Sequence, residues 1–369
     1  MSLQALAAVV GLFLFGISGQ TGELQMETFA DHPSIGCEDN PTGNPIGGGE
    51  GYQPIFTTGD FIVTSKEEML EAFEQAQPGQ VIFFPDGVEI DLTGQRNLVV
   101  PAGVTLAGTR GLNGSAGARI FTTLRESHTL MTSGGDEIRL TGLRFEGAEG
   151  STDKVADHSG FMSIGHYGAE VDNCEIYNFN VSGVGVGAGA LGVRIHHNYL
   201  HHIQRSGYGY PVSTNANGLQ VIANRVDYCR HAIASSGAPG SGYEAAWNLI
   251  GPNETSHSYD MHGGRDRGDN TDIAGDWMNV HHNTFLGSVA AVGIRGVPSQ
   301  GALIYNNWFV QRTPDKAVSS TANTRVYNNA HGEERTAQEQ PFEYENREPV
   351  MRPDGFVDTL LLSDPIAIP

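Results

Sequence analysis

The chain has 369 residues, and its 42 acidic side chains against 21 basic ones give a formal charge of −21. That balance excludes nucleic acid as a partner, which would need a basic stripe. It also predicts repulsion of anionic substrates unless an arginine or a divalent cation intervenes locally. Lys66, Lys154 and Lys316 are the only lysines, and Cys37, Cys174 and Cys229 have no metal-type spacing and read as small buried apolar residues.

In chain order, Leu6 to Gly19 is apolar and too short to span a bilayer. Residues 1–20 read as a signal peptide, although the positive charge usual before the apolar core is missing, so the expected location is secreted or cell surface, with no membrane span. Residues 21–58, rich in Gly and Pro, read as a linker or extended arm. Ser65-Lys-Glu-Glu68 is a capping box that opens a helix. Met69, Leu70, Ala72, Phe73 and Ala76 supply its apolar face, and Pro78-Gly79 stops it. Strand-like runs follow at Val81–Phe84, Glu89–Leu92, Val104–Leu106 and Ile138–Leu140. The helix is expected to cap the open end of a rod, and residues 333–369 read as a C-terminal cap or tail.

Seven segments end on an asparagine at positions 173, 198, 224, 248, 283, 307 and 329. Their steps are 25, 26, 24, 35, 24 and 22 residues, the length of one coil of a β solenoid. Forty-nine glycines and these asparagines suit corners that need positive φ. The expected fold is therefore all-β, a parallel β-helix over residues 59–332 with an N-terminal capping helix. The opening helix, PGQVIFFPDG, VPAGVTLAGTRG and the coils of IxxN type resemble the right-handed parallel β-helix superfamily of pectate-lyase-like proteins. That resemblance implies the handedness and points to carbohydrate chemistry, although lyases, hydrolases, epimerases and adhesins share the architecture.

The histidine doublets 196–197, 201–202 and 281–282 invite a metal reading, but two of them occupy the same slot before the asparagine and belong to the repeat. The 35-residue step is different. It carries His257-Ser-Tyr-Asp-Met-His-Gly-Gly-Arg-Asp-Arg267, an insertion of the kind that solenoids place on a binding face. If His257 to His262 is a strand, Asp260 and His262 share one face, about 6.5–7 Å apart at their bases. Arg265 or Arg267 could clamp a substrate carboxylate. Asp266, Asp269 and Asp272 could gather Ca²⁺, the bland alternative being an acidic loop tied by internal Arg–Asp pairs. A second cluster, Tyr208, Tyr210, Arg230, His231, Tyr243 and Glu244, lies one or two coils earlier, with His231 within stacking reach of Asp260. Its tyrosines could stack on sugar faces or merely seal a loop.

Asp260-Met-His262 also resembles the Asp-Pro-His core of mannuronan C5-epimerases. This implies site roles for Asp260 and His262 and a possible one for Tyr259. Here Met261 replaces the family's proline, Gly263 replaces its acidic residue, and its tyrosine lies further upstream than Tyr259.

Three functions follow. The first is C5 proton abstraction on a uronic-acid polysaccharide, by a lyase or an epimerase, with His262 as base, Asp260 orienting it, Arg265 or Ca²⁺ neutralising the carboxylate and Tyr259 or His231 as acid. The second is a glycoside hydrolase pairing Asp260 with Glu244, Asp227 or Asp276. The third is a non-catalytic carbohydrate-binding rod, which would predict uniform coils.

Overall fold

The computed structural model describes residues 34–148 and 158–334, with the backbone of short strands at 336–337, 342–343 and 366–367. The apolar segment 6–19 lies outside the described residues. The chain winds through three sheets of thirteen, eleven and nine strands, which are parallel apart from antiparallel additions at 336–337, 342–343 and 366–367. One coil visits them in turn, as in Arg194–His196 on the first sheet, Tyr199–Ile203 on the second and Tyr210–Thr214 on the third. This is a parallel β-helix. Among the described residues, no helix is long and apolar enough to cross a membrane.

The opening helix spans Lys66–Gln75. Ser65 accepts from the Glu68 backbone N–H at 3.2 Å, and Glu68 reaches back to the N–H of Thr64 at 2.7 Å, which satisfies two donors at the helix start. Met69, Ala72 and Ala76 are buried against the first coils, so the helix supplies apolar cover where stacking begins. Inside the rod, like residues pile up from coil to coil. Phe285 and Phe309 stack with centroids 5.3 Å apart on neighbouring coils, and within one coil Phe145 of the second sheet lies 4.2 Å from Phe161 of the third.

The asparagine repeat is a hydrogen-bonded ladder at the corner between the first and second sheets. Oδ1 of each asparagine accepts both the backbone N–H and the Nδ2–H of the one before it, from Asn198 through Asn224, Asn248, Asn283 and Asn307 to Asn329. These side chains are 0–3% exposed, so the ladder takes up donors that no water reaches. Two expectations are corrected here. Positive φ falls on the residue before each ladder asparagine, namely His197, Ala223, Trp247, His282, Asn306 and Asn328. Asn173 belongs to that preceding set, and Cys174 occupies the ladder slot, its N–H donating to Asn198 Oδ1 at 2.9 Å.

The doublets His196–His197 and His281–His282 serve these corners, while His201–His202 lies on the second-sheet strand Tyr199–Ile203. The first ring of each lies with Nε2 on a glutamate: His196 on Glu170 at 2.7 Å, His201 on Glu175 at 3.2 Å and His281 on Glu244 at 3.0 Å. All three cysteines are buried and free.

Residues 34–60 form an extended strap over these corners. Gly36 N–H donates to the Asn306 carbonyl, Cys37 N–H to Thr284 Oγ1 and Gly47 N–H to the Ala223 carbonyl, while Tyr52 donates its hydroxyl to Asp172 at 2.8 Å. At Gly48, with φ +66°, a Cβ would fall on the His197 carbonyl, so this close approach requires glycine.

Candidate active site

The third sheet positions the site. Its register aligns Ser163, Gly185, Ser213, Ala234, Asp260 and Gly293 across six successive strands. The row is small-sided until Asp260 interrupts it, which leaves a groove of about 390 Å³ lined by Ser163, Gly185, Ser213, Tyr210 and His262 among others. From Ser163 to Asp260 the row crosses four strand spacings, about 19 Å.

Asp260 lies on strand Tyr259–Met261, and its side chain is wholly buried by a ring of cations and imidazoles. His262 Nε2 is 2.9 Å from Oδ2, and Arg295 donates Nε–H to Oδ1 at 3.0 Å and an Nη2–H to Oδ2 at 2.8 Å. His257 Nε2 lies 3.0 Å from Oδ1 but off the line of a hydrogen bond, and His231 Nε2 lies 3.5 Å from Oδ2. Gly293 makes room for this, since a Cβ there would meet the His257 ring at 3.0 Å. Burial alone would raise the Asp260 carboxyl; the contacts with His257 and His262 outweigh it and hold the group well below the usual carboxylate range. Burial lowers His231 to about 4, so it is neutral at pH 7. Its Nδ1–H donates to the His257 carbonyl at 2.6 Å, which leaves the lone pair on Nε2.

The additional residues of the long coil sit mainly between Met261 and Trp277. They form the short helix Gly264–Arg267 and a loop beside His262. Arg267 holds that loop. Its guanidinium donates to the carbonyls of Ser236, His262 and Ile273, to Thr271 Oγ1 and to Asp269. With those donors used, Arg267 is a loop clamp and not the substrate-binding group expected. Arg265 is exposed on the same helix, and the Asp260 carboxylate is gripped by Arg295 instead. Tyr259 and Tyr243 are 0% exposed in the core, with the Tyr259 hydroxyl donating to Asn283 Oδ1 at 3.2 Å, so neither can touch a substrate. Glu244 belongs to the first sheet, where it receives His281, Gln220 and Asn279.

The expected aspartates are engaged within the loop. Asp266 pairs with Arg295 at 3.0 Å, Asp269 accepts from Arg267 and Thr271, and Asp272 is buried. Their ligand atoms do not converge as a metal group among the described residues. Asp227 lies on the second sheet and Asp276 at the edge of the first, where it accepts from Gly240 N–H and Ser299 Oγ, so neither pairs with Asp260.

Tyr210, Arg230 and Tyr208 do gather beside His231. The Tyr210 ring stacks on His231 at 5.7 Å, its hydroxyl takes a hydrogen bond from Arg230 Nη1 at 3.2 Å, and Tyr208, 40% exposed, lies 6.1 Å away. Burial raises the Tyr210 phenol, so it stays protonated in neutral solution. Sequence reasoning missed His257 and Arg295 as site members. In the register, Ser236, His262 and Arg295 each follow the last paired residue of adjacent strands, a row that only the stacking reveals.

No protein-family model and no curated protein matches the sequence. Among solved structures, an alginate lyase from Paenibacillus sp. str. FPU-7 superposes with a TM-score of 0.52 at 15% identity, over 74% of this chain and 97% of that one. The likeness is one of fold: a parallel β-helix of the kind that a polysaccharide lyase uses.

Proposed function

We propose that the protein is a secreted polysaccharide lyase that binds a uronic-acid-containing polymer along the third-sheet groove and abstracts the C5 proton. The observation that carries this reading is the meeting, at one end of a small-sided groove, of an oriented histidine, a carboxylate-bound arginine and a protonated tyrosine. The lyase activity of the structural neighbour bears in the same direction.

His262 is the base. Asp260 accepts its Nε2–H, which fixes the tautomer and leaves the Nδ1 lone pair for a proton. The Asp260 charge also stabilises the imidazolium formed. Arg295 neutralises the substrate carboxylate, since Asp260 and Asp266 engage one N–H on each of its three nitrogens and a guanidinium carries five N–H groups. Removing that negative charge is what makes the C5 proton acidic enough to take. Tyr210, on the groove wall, donates its proton to the departing glycosidic oxygen, and Arg230 stabilises the phenolate. Asp260, wholly buried and bound by Arg295 and His262, is a poor partner for hydrolysis, which needs two carboxylates that reach the substrate.

The test is incubation with a panel of polyuronates while following the ultraviolet absorbance of unsaturated ends. Rising absorbance supports elimination. Deuterium entering C5 without cleavage makes the enzyme an epimerase, and new reducing ends without absorbance would refute proton abstraction.

A further inference from the structure

Two imidazole nitrogens beside Asp260 are left over by the chemistry above. His231 is 0% exposed, its Nδ1–H is spent on the His257 carbonyl, and its Nε2 lone pair has no hydrogen-bond partner. His257 Nε2 is likewise buried without one, while its Nδ1 faces Ser256 Oγ at 3.5 Å. Both nitrogens point at the same carboxylate, and the three potential ligand atoms lie within 4.8 Å of one another. A buried nitrogen without a hydrogen-bond partner is destabilising, so two together beside one carboxylate call for an occupant.

We propose that His231 Nε2, His257 Nε2 and Asp260 bind one divalent transition-metal ion of the Zn²⁺ class. Around a tetrahedral ion with bonds of about 2.0–2.2 Å, ligand atoms stand about 3.3 Å apart. His231 Nε2 stands 3.5 Å from Oδ2 and His257 Nε2 3.0 Å from Oδ1, so the two imidazoles flank the carboxylate, one at each oxygen, at separations near that value. The carbonyl of His257 orients the His231 ring from behind, the outer-shell contact that metal-bound imidazoles require. Arg295 and His262 hold the same carboxylate from outside, as ligating carboxylates are commonly held. Two nitrogens and one oxygen suit Zn²⁺, Co²⁺ or Ni²⁺, whereas Ca²⁺ and Mg²⁺ want oxygen ligands throughout. Three protein ligands leave a fourth position open. In the function proposed above, and resting on that reading, the open position receives a substrate carboxylate oxygen alongside Arg295.

Glu170, Asp172 and His196 also converge, but their atoms are already paired. Asp172 accepts from Arg139, Tyr52 and Thr141, and His196 Nε2 is bonded to Glu170. That cluster has no lone pair to spare.

The test uses the full chain, stripped with chelator, dialysed and equilibrated with ZnCl₂, with metal content read by mass spectrometry. One equivalent of zinc per chain and a rise in Tm on adding Zn²⁺ are expected, as is visible d–d absorption with Co²⁺. His257→Ala, a partly exposed position, should lose that equivalent and weaken binding at least 100-fold while keeping its circular dichroism. His231→Ala should do the same, and His196→Ala should keep the equivalent. No stoichiometric zinc in the wild type would overturn the site, as would undiminished zinc in His257→Ala, which would assign the ion elsewhere on the chain. Bound zinc with no turnover on any polyuronate would refute the proposed function and leave the site standing. Turnover by a protein that binds no metal would do the reverse.

Discussion

Replacing Asp260 by Asn keeps the shape of the site and removes its only fully buried charge. Breaking a buried ion pair from one side costs about 3–5 kcal/mol. Arg295 is 37% exposed and can turn to water, which discounts the loss to about 2–3 kcal/mol. With an unfolding entropy of about 2.1 cal/mol/K per residue, a chain of this size shifts by about 1.5 °C per kcal/mol, so Tm should fall by about 3–5 °C. Catalysis should suffer far more. The new amide presents N–H to His262 Nε2, so the imidazole must carry its proton on Nδ1, where the base needs a lone pair. A wrong tautomer of this kind costs about 10⁴ in rate. Because the Asp260 carboxyl is depressed in the fold, its contribution to stability is fully present above its unfolded value, about pH 3.9. It is lost as pH falls towards the folded value, so that part of the Tm gap should hold from pH 8 to about pH 4 and shrink below. The assays are initial rates of unsaturated-product formation on a polyuronate that the wild type cleaves, and thermal melts across pH. A folded variant within tenfold of wild-type activity would refute the role given to Asp260.

The two tyrosine assignments separate cleanly. Tyr210→Phe should lower kcat at least 100-fold with little change in Tm, while Tyr259→Phe, which removes one internal hydrogen bond, should lower stability by about 1 kcal/mol and leave rates within threefold. Among the arginines, Arg295→Lys should lose more than 100-fold in kcat/KM because a point charge cannot reproduce the two-pronged grip, and Arg265→Ala should stay within threefold. Asn248→Ala should cost about 2–4 kcal/mol in chemical denaturation, since it strands the Asn224 N–H and the Val221 carbonyl in the interior.

The coil period was readable because the ladder tolerates almost nothing else: an asparagine accepts from one coil and donates to the next in a dry corner. The same signal misled at Asn173. Several corners carry asparagine in both the positive-φ slot and the ladder slot, as at Asn306–Asn307, so composition cannot say which is which. Tyr259 was decidable in advance, because alternation with Asp260 turns it inward, and the burial agrees. Arg295 was not. It reaches Asp260 through register alone, and the number of residues between the ladder and the third sheet varies from coil to coil. His257 is close in sequence, but its reach to Asp260 depends on Gly293 one coil later. Arg267 showed the opposite failure, an insertion arginine used up by the insertion itself.

The strap over the corners changes how the molecule can fold. Coils of a solenoid touch only their neighbours, so a bare rod would gain and lose ends piecemeal. Cys37 instead bonds to Thr284, 247 positions away, and Gly36 reaches Asn306. These partners exist only after the coils between them have stacked, which makes the strap the final closure of a chain whose strand pairings otherwise join adjacent coils. Once latched, it ties coils from Asp172 to Asn306 into one cooperative block, and the groove lining apart from Ser163 lies inside that span. Unlatching it should therefore loosen the Asp260 end of the groove even though the strap touches neither sugar nor site.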